Sequence, residues 1–184
     1  SNYLFRLETI SSRIEITKVL AELFKKLEID DTSEAVYLLL GGLAPKYKNV
    51  VFNIADKMMI RAVALAYSKK DDEVVKIYKK SGDLGDVVGK MSDKTKKHKN
   101  VSIIEVHRNL LDIANDGGEK SQERKVEKSA ELLKSLDSNA AKFVVRIMLG
   151  KLRLGFSDST ILDAISWMVS GDKSHKKQLE KAYF

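Results

Sequence analysis

The sequence predicts an all-α fold, because three kinds of signal agree along the chain. Apolar residues of the first segment return at steps of three and four residues or their multiples, which marks one helix face. Two stretches, Asp31–Glu34 (DTSE) and Ser102–Glu105 (SIIE), have the spacing of a capping box at a helix start. The β-like runs EVVKIY and KFVVRIML lie inside longer helical patterns and have no turn pairs beside them. We therefore expect roughly eight to ten short helices. The residues of the first apolar face are Leu7, Ile10, Ile14, Leu23 and Leu27.

In the first half of the chain, Pro45 is the only proline, and GGLAPKYKN around it is expected to be a loop between two helices. The stretch Ile54–Tyr67 (IADKMMIRAVALAY) is apolar, but it is shorter than the ~20 residues that a bilayer span requires. It also carries charged residues, so we interpret it as a buried core helix. No membrane partner is predicted.

In the second half, serines mark the expected helix starts, with N-caps at Ser121, Ser138 and either Ser157 or Asp158. The segments 78–88 and 148–158 share one design, in which a helix ends at a glycine turn and a new helix opens. This repetition predicts one domain over residues 3–184 that is built of two similar helical halves. The halves cover about residues 3–90 and 101–184 and are joined by a basic linker, residues 91–100. Residues 1–2 are consistent with a cloning scar, and the abrupt ending LEKAYF suggests a fragment.

The amino-acid composition excludes several classes of functional site. The 184 residues include no cysteine, which excludes disulfides, zinc–thiolate sites and thiol catalysis. The three histidines are scattered, with no pairing typical of a metal site. The formal net charge of +7 suggests a polyanionic partner without proving one.

The segment Ile77–Met91 (IYKKSGDLGDVVGKM) places three glycines within eight residues. Neither the dinucleotide nor the phosphate-loop spacing occurs there. One interpretation is ordinary capping, with Gly82 ending one helix and Asp83 starting the next. The other adds that bare amides at such turns, including a further turn in Asn115–Lys125, bind the phosphates of duplex DNA. The nearby cations are Lys79, Lys80, Lys90, Lys120, Arg124, Lys125, Lys151 and Arg153.

Five stretches, taken in order, resemble the N-terminal DNA-binding domain of ATP-dependent DNA ligases of the archaeal and eukaryotic replicative type. The resemblance covers essentially the whole chain, and its most specific parts are GDLG at Gly82–Gly85 and RIMLGKLRLG at Arg146–Gly155. The five stretches are FRLETISSRIEITKVLAELF, YLLLGGLAPKY, YKKSGDLGDVV, GGEKSQERKVEKSAELL and AAKFVVRIMLGKLRLGFSDSTILDAIS.

The resemblance implies a compact multi-helix domain of two pseudo-twofold-related halves. It also implies a flat basic face that lies on the minor groove across a nick and holds phosphates on both sides. It further implies adenylation and OB-fold domains as partners in the parent chain, and roles in DNA replication, repair and recombination. The location would be the cytoplasm, at the nucleoid, or the nucleus of a eukaryote. Matching positions predicted to contact DNA are Arg13, Gly82, Gly85, Gly118, Ser121, Lys125, Arg153 and Gly155.

Two family features are missing. The nucleotidyl-transfer signature K-x-D-G does not occur, so we expect no catalytic residue, metal or cofactor in this chain. The resemblance implies ATP and Mg²⁺ for the full-length ligase. The middle loop SDKTKKHKNVSI lacks the paired aromatics of a clamp-binding element, which makes a sliding-clamp partner doubtful.

Two alternatives remain open on the residues alone. The chain could be a helical protein-interaction scaffold whose basic surface only keeps it in solution. An independent enzyme is the third class, but no nucleophile with a base, paired histidines or metal cluster supports it.

Overall fold

The structure is a computed structural model that describes residues 1–92, 101–152 and 154–183. The regular structure of these residues is entirely helical, which confirms the all-α prediction. The described part contains eleven α-helices and one short 3-10 turn, Lys46–Lys48, against roughly eight to ten helices expected. The α-helices are α1 (Asn2–Thr9), α2 (Arg13–Phe24), α3 (Ile29–Leu39), α4 (Asp56–Ala66), α5 (Asp71–Ser81), α6 (Leu84–Met91), α7 (Ile103–Asn115), α8 (Ser121–Ser135), α9 (Ser138–Met148), α10 (Asp158–Ser170) and α11 (Lys176–Tyr183).

The helices form two compact units that differ from the predicted halves. The first unit contains residues 1–40 and 153–184, and the second contains residues 41–152. In the second unit α6 packs against α9, and α4 against α8, so helices from both sides of the basic linker share one core. Most of that linker, residues 93–100, lies outside the described residues. The pseudo-twofold relation of the halves stays a prediction.

In the first unit α2 packs against α10. The buried residues of α2 differ from those of the predicted apolar face. The first apolar segment is two helices, since the chain leaves the helix after Thr9 and Ser12 caps a new one. The helical phase restarts there, so Ile14 is 56% exposed although Leu7 is buried. The α2 residues that enter the core are Ile16, Thr17, Val19, Leu20, Ala21 and Phe24.

In the second unit, α4 lies at the centre and contacts α5, α6 and α8. Met59 and Val63 are fully buried, which confirms that Ile54–Tyr67 is a core helix. Among the described residues, none of the helices has the length and apolar content needed to cross a membrane.

One of the two predicted capping boxes marks a helix start. The Ser102 hydroxyl accepts the Glu105 amide at 3.1 Å, as expected. The other prediction is wrong, because α3 already begins at Ile29 and the stretch Asp31–Glu34 lies inside it. The spacing of a capping box therefore also occurs inside a helix, where it does not mark a helix start.

The remaining predicted N-caps fall within one residue. The cap before α9 is Asp137 and not Ser138, since the Asp137 carboxylate accepts two helix amides at 2.9 Å. Lys120, not Ser121, precedes α8. Ser157 precedes α10, as one of its two predicted alternatives has it.

Candidate nucleic-acid interface

The first predicted glycine turn joins α5 to α6 in the second unit. Gly82 ends α5 in the left-handed conformation (φ +71°), and Asp83 caps α6 by accepting the Asp86 amide at 2.9 Å. The ordinary capping interpretation is therefore confirmed. Gly82 is exposed and has open space where a Cβ would stand. The Asp83 carboxylate already occupies the start of α6, and its negative charge disfavours a phosphate at that position.

Gly85 lies in the same segment, but it is buried against α9. A Cβ placed on Gly85 would stand 2.7 Å from the Lys142 carbonyl oxygen and 3.0 Å from Arg146 Cγ. Such distances are far below van der Waals contact, so only glycine lets α6 approach α9 this closely. The structure thus gives Gly85 a packing role between α6 and α9 and leaves it buried.

The acidic residues of this turn are neutralised from α9. The Arg146 guanidinium lies 3.1 Å from Asp83 and 3.1 Å from Asp86. The Lys142 ammonium lies 3.1 Å from Asp86 as well. Because Arg146 is only 13% exposed, its charge serves the α6–α9 contact and is not offered to an external ligand.

The second glycine turn joins α7 to α8, and Arg124 organises it. The Arg124 Nη2 donates to an Asp116 oxygen at 2.6 Å. The same guanidinium donates to the carbonyls of Gly117 at 2.9 Å and Glu119 at 2.7 Å. Arg124 of α8 therefore binds three residues of the preceding turn, Asp116, Gly117 and Glu119.

This arrangement turns two backbone amides outward. In a trans peptide the C=O and N–H groups point in opposite directions. Since the carbonyls of Gly117 and Glu119 face Arg124, the amides of Gly118 and Lys120 point away from it. Both latter residues are left-handed, at φ +78° and +58°, and both are exposed. They stand immediately before Ser121, where α8 begins without a side-chain cap, so the positive end of the helix dipole adds to the two amides.

Lys125, by contrast, does not fit the predicted contact with DNA. It is 5% exposed, and its ammonium donates to the Phe52 carbonyl at 2.7 Å and the Ala114 carbonyl at 3.4 Å. Burial lowers the pKa of Lys125, an effect that the nearby Asp116 charge opposes. The Lys125 side chain thus connects α8 to the loop residue Phe52 and to the end of α7, and it is buried.

The ion pairs at the second turn predict that the free energy of unfolding falls at acidic pH. Hydrogen bonds from Arg124, and then from Lys128, lower the pKa of Asp116 to about 2, below its usual 3.8. A carboxyl with a depressed folded-state pKa contributes stability above its unfolded-state pKa and loses it as the pH falls through the folded value. We expect Asp116→Asn to flatten the loss of stability between pH 4 and pH 2 in urea titrations. An unchanged pH profile in this variant would contradict the assigned ion pairs.

The third glycine turn lies in the first unit, before α10. Gly155 is exposed and left-handed (φ +76°), with open space at the Cβ position. Ser157 precedes α10 without a side-chain cap, so amides at this helix start are not taken by it. The predicted contact Arg153 lies outside the described residues.

Arg13 also belongs to the first unit and is the first residue of α2. Its side chain is 61% exposed, and its Nη2 atom lies 3.7 Å from the Asp163 carboxylate. Lys151, a cation expected near the third turn, lies in the second unit and binds Asp56 at 2.8 Å.

The structure therefore separates the predicted contacts into three groups. The first group is exposed at glycine turns or helix starts and can face a ligand; it contains Gly82, Gly118, Gly155 and Arg13. Ser121, near Gly118, is half-buried. Gly85 and Lys125 are buried. Sequence reasoning missed two acids: Asp116, which binds Arg124 at the second turn, and Asp163, which faces Arg13. Each had a visible signal in the sequence. Asp116 directly precedes a glycine pair, and Asp163 interrupts the apolar run of α10.

Within the described residues, no group of three or more histidine, aspartate or glutamate side chains is arranged to hold a metal ion.

The comparisons with known proteins agree with the resemblance. The family described as DNA ligase N terminus matches residues 1–166. A probable DNA ligase of Dictyoglomus thermophilum is 39% identical over 183 residues, covering 100% of this chain and 31% of the relative. DNA ligase 1 of Methanosarcina acetivorans is 37% identical over 177 residues, with 96% and 30% covered. The DNA ligase of Acidianus ambivalens is 36% identical over 196 residues, with 100% and 33% covered.

The chain thus spans about a third of the length of the curated relatives it matches. The match covers α1 to α9 and much of α10, which includes all three glycine turns. This all-helical chain belongs to the DNA ligase N terminus family, the N-terminal domain of ATP-dependent DNA ligases.

Proposed function

We propose that this chain is the DNA-binding module of an ATP-dependent ligase and holds nicked duplex DNA by its backbone phosphates, across the minor groove. The proposal rests on the turn before α8, an uncapped helix start where Gly118 and Lys120 are exposed and left-handed. Because Arg124 binds the carbonyls of Gly117 and Glu119, the two following amides point away from it. Amides at a helix N-terminus favour a phosphate through hydrogen bonds and through the helix dipole. Such contacts grip the backbone and carry no sequence information.

Charge supports the same proposal. The formal net charge of +7 attracts a polyanion. Around the turn at Gly82, Lys79, Lys80 and Lys90 are all exposed. Acids at the start of α6 are paired within the protein, which leaves these lysines to dominate the local field.

The rest of the parent protein follows from the relatives, which are about three times longer than this chain. We infer that an adenylation domain and an OB-fold domain accompany it and encircle nicked DNA together with it. Sealing the nick would need ATP and Mg²⁺ and a K-x-D-G lysine, which lies outside this chain because the motif is absent here. The parent protein would act wherever its DNA is, in replication, repair and recombination.

Titration of labelled nicked and intact duplex at several salt concentrations tests the proposal. Binding by several phosphate contacts predicts an association constant that falls linearly in log–log form, with a slope of about −0.9 per phosphate neutralised. Duplexes of different sequence should give the same affinity. A salt-independent or undetectable interaction would favour the protein-interaction scaffold instead.

Lys120→Gly is expected to stabilise the protein and weaken DNA binding at the same time. Lysine at φ +58° is strained and glycine is not, so the free energy of unfolding should rise by about 0.5–1 kcal/mol. Loss of the ammonium group beside the outward amides should make the salt slope shallower by about 1. Thermal unfolding and the salt titration measure the two effects.

Two matched variants separate these effects. Ser68→Gly removes the same kind of strain, at φ +53°, without changing charge, and should raise stability alone. Lys134→Gln removes an exposed charge from the other end of α8 and should affect DNA binding less than Lys120→Gly. Equal loss of binding in Lys120→Gly and Lys134→Gln would show that only net charge matters.

A further inference from the structure

The first unit contains a carboxylate whose role the DNA-binding surface does not explain. Asp163 lies on α10 and its side chain is 0% exposed. Lys176 Nζ lies 2.7 Å from one of its oxygens, and Lys173 Nζ lies 2.8 Å from the other. A buried carboxylate is costly unless it is paired, and two ammonium groups offset that cost here, Lys173 through a hydrogen bond and Lys176 as an ion pair.

Arg13 is the third cation at this carboxylate, and its contact is different. Its guanidinium stands 3.7 Å away, beyond hydrogen-bond distance, and stays mostly in solvent. The Asp163 charge therefore attracts Arg13 without taking up its donors. Asp163 faces three cations, and Glu180 lies 3.7 Å from one of them, Lys176, so the cluster has a formal surplus of one positive charge.

The position of Arg13 explains why it needs such an anchor. It is the first residue of α2, where the positive end of the helix dipole repels a cation. A long, exposed arginine at this place would otherwise sample many rotamers and lean away from the helix start. Asp163 supplies a fixed negative charge from α10, the helix that packs against α2.

Asp163 also keeps its charge at neutral pH. Burial by itself favours the uncharged acid, but the neighbouring ammonium groups of Lys173 and Lys176 outweigh it and lower the pKa of Asp163. The negative charge beside Arg13 is therefore present at neutral pH.

We propose that Asp163 is a positioning residue that holds the Arg13 guanidinium over the start of α2, with its donors free for a backbone phosphate. The inference rests on the proposed DNA-binding function. It assigns Asp163 no contact with DNA, since the carboxylate is buried and negative. Its effect on binding passes through Arg13 alone.

The sign of the effect of Asp163→Asn tests the proposal. This variant raises the formal net charge from +7 to +8, so general electrostatics predicts tighter binding to nicked duplex. Positioning predicts the opposite, a dissociation constant about fivefold higher at fixed salt. In an Arg13→Ala background, the same substitution should cause no further loss.

Binding by Asp163→Asn that equals or exceeds that of the unmodified chain would overturn the proposal, and so would an equal loss in both backgrounds. Thermal unfolding of each variant controls for folding. If Asp163→Asn is unfolded at the assay temperature, Asp163→Asn combined with Lys173→Met replaces it, because the pair keeps the net charge at +7. The same comparison with and without Arg13→Ala then decides.

The unmodified chain serves as the reference for both ideas. If it shows no salt-dependent binding to duplex, the proposed function fails, and the role of Asp163 fails with it. If it binds normally and only the Asp163 comparison fails, the proposed function stands without this positioning residue.

Discussion

Gly85→Ala is expected to lower the free energy of unfolding by about 2 kcal/mol, since it forces a methyl group into a closed contact between α6 and α9. The nearest obstacle is the Lys142 carbonyl oxygen, 2.7 Å from the new Cβ. This oxygen is backbone inside α9 and cannot move away as a flexible side chain would. The whole of α6 must shift, which also strains the ion pairs of Arg146 with Asp83 and Asp86. Urea unfolding followed by circular dichroism measures the change.

Gly89→Ala is the matched control, in the same helix. A Cβ at Gly89 meets nothing within 4 Å, so alanine brings only its better helix propensity. We expect this variant to be more stable by about 0.5–1 kcal/mol. If the two alanine variants have equal stability, close packing at Gly85 is not what requires glycine.

Lys125→Met is expected to lower the free energy of unfolding by about 2 kcal/mol. Methionine has a similar length and can fill the same space, but it cannot donate to the carbonyls of Phe52 and Ala114. Both acceptors would be left without the ammonium, and Asp116 would lose a neighbouring positive charge. The salt slope of DNA binding should stay unchanged in the folded variant, because Lys125 does not reach the surface. Urea unfolding and the salt titration test both statements.

Lys134→Met controls for the lost charge, since Lys134 is exposed on the same helix. Its stability should change by less than about 0.5 kcal/mol. A Lys125→Met variant with unchanged stability and a salt slope shallower by about 1 would return Lys125 to the DNA-binding surface.

The local signals of this sequence were reliable for local structure. Ser102 caps α7, Gly82 ends α5 and Asp83 starts α6, because each of these depends on backbone groups within four residues. The same is true of the helical spacing that predicted an all-α protein. Other local predictions missed the cap, by one residue at Asp137 in place of Ser138 and by three residues at Glu28 in place of Asp31.

The same signals failed where the outcome depended on distant residues. Ile14 was predicted to be on an apolar face and is exposed, because the break before Ser12 reset the helical phase. No local signal indicated that α4 packs against α8 and α6 against α9, because these contacts join residues far apart along the chain.

The sequence by itself determined the helical class, the glycine turns and the ligase family, since propensity, capping and ordered motifs are all properties of short stretches. Only the tertiary structure decided which of the predicted contacts face outward. Gly85 and Lys125 look like Gly118 and Lys120 in the sequence, yet the first two are buried and the last two are exposed. The physical reason is that a residue becomes buried when another element of the fold packs against it, and that element can be distant in the sequence. For Gly85 that element is α9, and for Lys125 it is the segment at Phe52, 73 residues away along the chain.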